Sequence, residues 1–270
     1  IADPAHPQLS NVIDLDANRQ VVDSTRLVAS GSSLWTFSLA DPSAPSFSGV
    51  LPLSEASSGL AVAGNWAIVA QLSTGLRFVD LMDPAHPQEK AVLGLPVGAM
   101  DVAAANGYVY IAVGQGKGLF AVNMTDPLHP QVVGFMSSPE NDASLSLAGN
   151  LVLYGARESG LRIVDVSNPA NPTQLGVFDS PGNANRAALY GSLAILADWT
   201  GGVRVVDISN PANPLERGGF VTRAADPIDL ALAGRYAYVL NNSGEQALQV
   251  FDVANPAAPV FVAGLDIPVE

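Results

Sequence analysis

A chain of 270 residues that is 48% hydrophobic and 14% charged is too apolar to be disordered and long enough to bury one large core. Its net charge of −13, with 12 lysines and arginines against 25 acidic residues and no basic cluster, excludes a surface that tracks phosphates, and so excludes nucleic acid and anionic lipid as partners. No apolar run reaches the 18 residues that a membrane-inserted helix needs, and the lack of cysteine removes disulfides and thiol chemistry.

The chain opens on Asp3-Pro4-Ala5-His6-Pro7, followed by a candidate strand over residues 8–14. The same Asx-Pro-x-x-Pro tract then closes a twelve-residue template six times. The copies are LWTFSLADPSAP at 34–45, LRFVDLMDPAHP at 76–87, LFAVNMTDPLHP at 119–130, LRIVDVSNPANP at 161–172, VRVVDISNPANP at 203–214 and LQVFDVANPAAP at 248–259. Each begins with aliphatic and β-branched residues, the composition of a buried strand. Each stops at Asx-Pro, where the Asx side chain bonds the backbone two residues on and the proline fixes φ and removes a donor. The template therefore predicts strand, corner, strand.

The Asx anchors fall at 3, 41, 83, 126, 168, 210 and 255, 38 to 45 residues apart. That period belongs to propeller blades or to helical arrays. Helical spacing and helical caps are both missing, so the expected fold is an all-β protein, a β-propeller of four-stranded antiparallel blades. Within each period a first strand such as 60–63, 145–148 or 230–233 alternates larger aliphatics with alanine or serine, which suits a crowded innermost strand. Two-residue turns follow at Gly64-Asn65, Asn106-Gly107, Gly149-Asn150, Gly191-Ser192 and Gly234-Arg235, then a second strand such as 66–70, 108–112 or 236–240. The template supplies the third strand and the segment after its prolines the fourth. The first repeat is the most degenerate, with Ser38 in place of the usual Asp.

Strands one to three occur six times, but fourth strands seven times, because 8–14 and 260–266 are both of that type. Six blades are favoured, with residues 8–14 completing the last blade and 260–270 leaving as an exit segment. The alternative is seven blades with the first incomplete. Residues 1–270 read as a single propeller domain cut from a longer chain.

The strings VDISNPANP at 206–214 and VDVSNPANP at 164–172 resemble the LVIVD-repeat family of bacterial and archaeal proteins. The resemblance covers essentially the whole chain and implies a β-propeller in a secreted or surface-attached protein. It implies no activity and no catalytic residues. The signature of WD40 repeats is absent, and the Gly-Gly doublets of kelch blades do not recur in register.

Repetition also filters the candidates for chemistry. His6, His86 and His129 share one slot between the prolines, as turn residues would. Asp80, Asp165, Asp207 and Asp252 share one strand position and are expected to bind backbone amides or a neighbouring blade. No Gly-x-Ser-x-Gly elbow is present. Asp14-Leu15-Asp16-Ala17-Asn18 has the spacing of a calcium loop but lacks its glycine and final glutamate. The glycines from Gly114 to Gly118 precede no helix that could bind phosphate. No metal or cofactor is expected.

The loops that depart from the repeat carry Glu140, Asn141, Asp142, Asn183, Asn185 and Lys117, together with the candidate ligand-binding set Arg157, Glu158, Arg186, Trp199, Asp101 and Asp229. These are expected around one mouth of the propeller. An aromatic among amides and charges suits recognition of a peptide or sugar. The expected function is a non-catalytic interaction module recognising a protein or glycan, in a secreted or surface protein. The alternatives are a structural spacer that pairs its exit strand with another chain, or a hydrolase or lyase using Asp101, Asp229 and Arg186.

Overall fold

The computed structural model describes residues 3–7, 15–23, 25–113, 117–138, 144–222, 226–242 and 247–266. Blade one runs β1 (Ala17–Val22), β2 (Arg26–Gly31), β3 (Ser33–Ser38) and β4 (Ser46–Pro52). Blade two runs β5 (Ser57–Ala63), β6 (Trp66–Gln71), β7 (Gly75–Asp80) and β8 (Gln88–Leu93), and blade three β9 (Ala99–Ala105), β10 (Tyr108–Val113), β11 (Gly118–Asn123) and β12 (Gln131–Met136). Blade four runs β13 (Ser144–Ala148), β14 (Leu151–Gly155), β15 (Leu161–Asp165) and β16 (Thr173–Phe178). Blade five runs β17 (Arg186–Tyr190), β18 (Leu193–Ala197), β19 (Val203–Asp207) and β20 (Leu215–Phe220). Blade six runs β21 (Pro227–Ala233), β22 (Tyr236–Asn241), β23 (Leu248–Asp252) and β24 (Val260–Leu265). Each blade is an antiparallel meander whose strands pair in chain order, and six such blades make a six-bladed β-propeller.

Two compact units divide the chain. One comprises Leu9–Asp142 with Asn168–Pro172 and holds blades one to three; the other comprises Ile1–Gln8, Ala143–Ser167 and Thr173–Glu270 and holds blades four to six. In both, the core lies between the facing sheets of consecutive blades. Ile68, Leu76 and Phe78 of blade two meet Val109, Ile111 and Val122 of blade three. Ile195 and Val205 of blade five meet Val239, Phe251 and Val253 of blade six. The third strand is buried on both faces because sheets cover it on both sides, which explains its nearly continuous apolar sequence.

One expectation is corrected. The fourth strand of blade six is β24, paired with β23 from Leu248↔Leu265 to Asp252↔Val260. Residues 8–14, expected to fill that place, lie outside the described residues. The pairing follows from loop closure: a seven-residue corner joins β23 to β24, whereas recruiting the N-terminus would close a loop of most of the chain.

The corner is built as the template predicts. In each copy the Asx carboxyl or amide oxygen accepts the amide two residues on, at 2.9 Å for Asp41 to Ser43, 3.0 Å for Asp83 to Ala85 and 3.2 Å for Asn168 to Ala170. The Asx carbonyl accepts the amide three residues on, as in His86 to Asp83 at 3.0 Å and Asn213 to Asn210 at 3.0 Å. The strand aspartates do the same one turn earlier: the amides of Met82, Ser167, Ser209 and Ala254 donate to Asp80, Asp165, Asp207 and Asp252. Where the corner carries histidine, its Nδ1 lies 2.7–2.8 Å from the Asx carboxylate of the same turn, in Asp3–His6, Asp83–His86 and Asp126–His129.

The fourth strand hides a feature that its sequence does not announce. In all six blades the ladder between strands three and four slips by one residue at the same place, from Thr36/Phe37 in blade one to Val250/Phe251 in blade six. Beside this bulge sits glycine in four blades: Gly49, Gly134, Gly176 and Gly218. Each is covered by the Asx-Pro corner of the next blade. A Cβ on Gly49 would fall 2.5 Å from the Pro84 carbonyl oxygen, and Gly134, Gly176 and Gly218 face the carbonyls of Pro169, Pro211 and Pro256 in the same way. Backbone packs on backbone there. The buried Thr36 hydroxyl adds a bond to the Pro84 carbonyl at 2.5 Å.

Gly176→Ala is therefore expected to cost about 1–3 kcal/mol in urea unfolding, because the new methyl meets a backbone carbonyl that is itself held by a turn. Val177→Ala on the neighbouring, part-exposed position should stay within about 0.5 kcal/mol. A second expectation concerns acid. The Ser209 amide, then Arg217, hold the Asp207 carboxyl down at about 2 against an ordinary 3.8. A depressed value contributes stability above 3.8 that is lost as pH falls through about 2. Thermal melts of Asp207→Asn should accordingly show a shallower loss of Tm than the parent across that window.

Candidate functional site

Three of the candidate residues share one register position, which only the strand pairing reveals. Asp101 lies opposite Ala112, Arg186 opposite Ala197 and Asp229 opposite Leu240, and each of those second-strand residues pairs with the first aliphatic of its template. The other blades place Arg19, Gly59 and Ser144 there. A position that holds arginine, aspartate, serine or glycine in different blades is not dictated by the blade. The three residues belong to first strands rather than to the loops before them, as the sequence suggested.

Their surroundings differ. Asp101, in the unit of blades one to three, is 3% exposed and accepts the Val102 amide at 2.9 Å. Asp229 accepts the Leu230 amide in the same manner at 2.8 Å but stays 57% exposed. In the unit of blades four to six, Arg186 Nε lies 3.5 Å from Asp229 Oδ1, so the structure joins these two. Next to them, the Asn185 amide nitrogen donates to the Pro227 carbonyl at 3.4 Å, tying the start of blade five to that of blade six.

Arg157, Glu158 and Trp199 lie in the loops from second to third strand of blades four and five, and the two loops share one backbone design. In blade four the amides of Ser159 and Gly160 donate to the carbonyls of Ala156 and Arg157 at 3.0 Å each, and Ala156 donates to Gly160 at 2.8 Å. In blade five Gly201 and Gly202 donate to Asp198 and Trp199 at 2.7 and 2.9 Å, and Asp198 donates to Gly202 at 2.8 Å. The turn forces its first residue into the left-handed region, where glycine is at ease. Here that residue is Arg157 at φ 48° and Trp199 at φ 42°. For a bulky side chain this conformation is an outlier, with a cost on the order of 1–3 kcal/mol. Arg157 is further fixed by a two-way backbone bridge with Ala184, at 3.2 and 2.9 Å, and the Trp199–Gly201 turn packs against β21. Arg157 and Glu158 are exposed and Trp199 is half-buried.

Asp198, which the sequence did not single out, anchors the second of these turns. Its carboxylate is fully buried, accepts the Ser180 hydroxyl on Oδ1 and accepts the Gly182 amide on Oδ2 at 2.9 Å. Arg204 Nε stands 3.9 Å from Oδ2, while Arg204 Nη1 bonds Glu216 at 3.1 Å. Neither Gly182 nor Gly201 has room for a Cβ against Asp198. Burial raises the carboxyl above its ordinary value, and the bonds from Ser180 and Gly182 and the charge of Arg204 oppose that rise. Gln71 and Asn241 hold the same register position in blades two and six, and Gln71 likewise clamps the loop before its own blade by donating to the Glu55 carbonyl.

Of the remaining loop residues, Glu140, Asn141 and Asp142 lie outside the described residues. Asn18 gives both ends of its amide to Ser57, by Nδ2 to the carbonyl at 2.9 Å and by Oδ1 from the hydroxyl at 3.1 Å; Asp14 of the same motif is outside the described residues. Among the described residues no three His, Asp or Glu are grouped to hold a metal ion.

Comparison with known proteins extends the fold. No match to the chain was found among curated protein sequences. Solved structures do match it. The β-propeller domain of Cps50 (Swd1) from Myceliophteria thermophila has a TM-score of 0.77 at 13% identity, over 96% of this chain and 90% of that one. The periplasmic gluconolactonase PpgL of Pseudomonas aeruginosa has a TM-score of 0.74 at 13% identity, over 91% and 87%. A protein of unknown function from Desulfotomaculum acetoxidans has a TM-score of 0.73 at 15% identity, over 88% and 78%. Identities this low carry the architecture alone. The LVIVD repeat profile matches residues 56–92, 98–137, 142–180, 181–222 and 225–266, leaving out only the blade whose template is most degenerate. The chain belongs to the LVIVD repeat family.

Proposed function

We propose that this propeller is a non-catalytic recognition domain that binds a protein or glycan through the loops of blades four to six, with Trp199 and Arg157 as anchors and Glu158, Arg186 and Asp229 around them. One observation carries the reading. Two consecutive blades use the same tight turn, and at the position where glycine would relieve the backbone they carry a tryptophan and an arginine. Strain of this kind collects where a side chain serves a ligand. Tryptophan and arginine are also the residues that dominate binding surfaces.

A non-catalytic role is supported by where the titratable groups go. The strand aspartates and the corner aspartates each hold a turn amide, and the three histidines each face the carboxylate of their own corner. Asp101, one of the carboxylates a hydrolase would need, is buried within its strand. The family resemblance further supports placement of the domain in a secreted or surface-attached protein.

The test is capture from the secreted and surface fraction of the source cells, with the wild-type chain beside Trp199→Ala and Arg157→Gly. A partner retained by the wild type and reduced at least tenfold with either variant supports the reading; equal retention by all three overturns it. Arg157→Gly has a second expected outcome. Because glycine fits φ 48°, its Tm should equal or exceed that of the wild type while capture falls, separating a side chain kept for binding from one kept for stability.

A further inference from the structure

We propose that Asp198 is the positioning residue of the Trp199 turn, and that its negative charge, shared with Arg204, holds the indole in the conformation presented to a ligand. The inference rests on the reading of Trp199 as a binding residue only for its consequence; the latch itself stands on the geometry of the turn.

The repeat shows that the blade asks for no charge at this position. Gly31, Gln71, Val113, Ala156 and Asn241 occupy it in the other blades, and Asp198 is the single ionisable side chain of the six. The uncharged Gln71 does the clamping in blade two. In blade five Asp198 joins the turn to the loop that enters the blade. It takes the Ser180 hydroxyl and the Gly182 amide from the loop that enters the blade, and its backbone closes the turn by accepting from Gly201 and donating to Gly202. Both carboxylate oxygens thus act as acceptors of protein donors. A proton on Oδ2 would face the Gly182 amide, donor against donor, and would remove the partner charge from Arg204, whose Nε has no hydrogen-bond partner among the described residues. Arg204 would then turn wholly to Glu216. The turn would lose its anchor at the residue beside the strained Trp199.

The charged groups around Asp198 set the direction of its response. Arg204 from β19 favours the charged form and Glu216 from β20 opposes it; Ser180 and Gly182 on the entering loop and the Trp199–Gly201 turn bring hydrogen bonds but no charge. β21, packed on the turn, carries Asp229, which is paired with Arg186. Because the folded value is raised above 3.8, the contribution of Asp198 to stability grows as pH falls through that value and is complete below 3.8. Protonation therefore does not unfold the domain through this group.

The experiment follows the indole directly. Tryptophan emission of the full chain is titrated with acid and compared with Trp199→Phe, so that the difference isolates Trp199 from Trp35 and Trp66. A transition with its midpoint above that of an ordinary carboxylate, at constant far-ultraviolet circular dichroism, is expected for the wild type and is expected to vanish in Asp198→Asn. Two further variants keep the test open should Asp198→Asn not fold. Ser180→Ala removes a bond to the charged form and should raise the midpoint; Glu216→Gln removes an opposing charge and should lower it. A wild type without a transition, a transition that persists in Asp198→Asn, or a midpoint that Ser180→Ala and Glu216→Gln leave in place would each overturn the proposal. Loss of partner capture with Trp199→Ala but an unchanged acid transition in the parent supports site and latch separately; the transition without any partner leaves the latch standing and removes the binding reading.

Discussion

A carbonyl oxygen pressed against a strand that has no side chain at that point links one blade to the next. The Asx-Pro corner carries the carbonyl, and the outer strand of the preceding blade supplies the glycine, as in Gly49 with Pro84 and Gly176 with Pro211. The contact demands that the corner keep its shape, because a backbone oxygen can approach a glycine this closely only if the turn that holds it does not move. Proline fixes φ on both sides of the corner, the Asx side chain bonds the amide within it, and the preceding strand aspartate bonds the amide before it. The repeated letters of the template therefore form one device, which sets the spacing of blades inside each unit.

That device explains why the most conspicuous residues of the chain are structural ones. Aspartate, histidine and asparagine recur at the corners with the regularity of a motif, yet each has its partner within the same turn. The residues that depart from the repeat sit at the other ends of the strands, in the loops between second and third strands and at the start of first strands. There the same backbone turn is filled by Arg157 in one blade and Trp199 in the next, and the register position of Arg186 and Asp229 changes chemistry from blade to blade. Uniform corners carry the architecture and variable loops carry the individuality.

Much of this was legible in the sequence, for a physical reason: the third strand is buried on both faces, and its end is marked by residues whose backbone restrictions are absolute. Strand order, hairpin turns such as Asn106-Gly107 and the turn role of His86 and Asp80 all follow from local chemistry. What escaped was set at a distance. Gly134 and Gly176 look like ordinary turn glycines until the corner of the next blade is placed over them. The choice between residues 8–14 and β24 for the last blade could not be made locally, since both segments carry the same fourth-strand pattern. Asp101 reads as a loop carboxylate, but its side chain lies inside the first strand of its blade. Asp198 does not stand out in the sequence, because its equivalence to Gln71 and Asn241 emerges only from strand register.

The bulge that recurs in every fourth strand bears on how this protein behaves at high concentration. Fourth strands form the free edges of the sheets, and they expose Phe47, Val92, Val132, Phe135, Leu175 and Val260 to solvent. A straight strand of that composition would be a template for another chain to add to, and so a start for aggregation. The bulge interrupts the run of equally spaced amides and carbonyls after two to four residues and twists the edge away from flatness. The same one-residue slip that seats each glycine beneath its neighbour's corner shortens the stretch of outer edge that a foreign strand could extend.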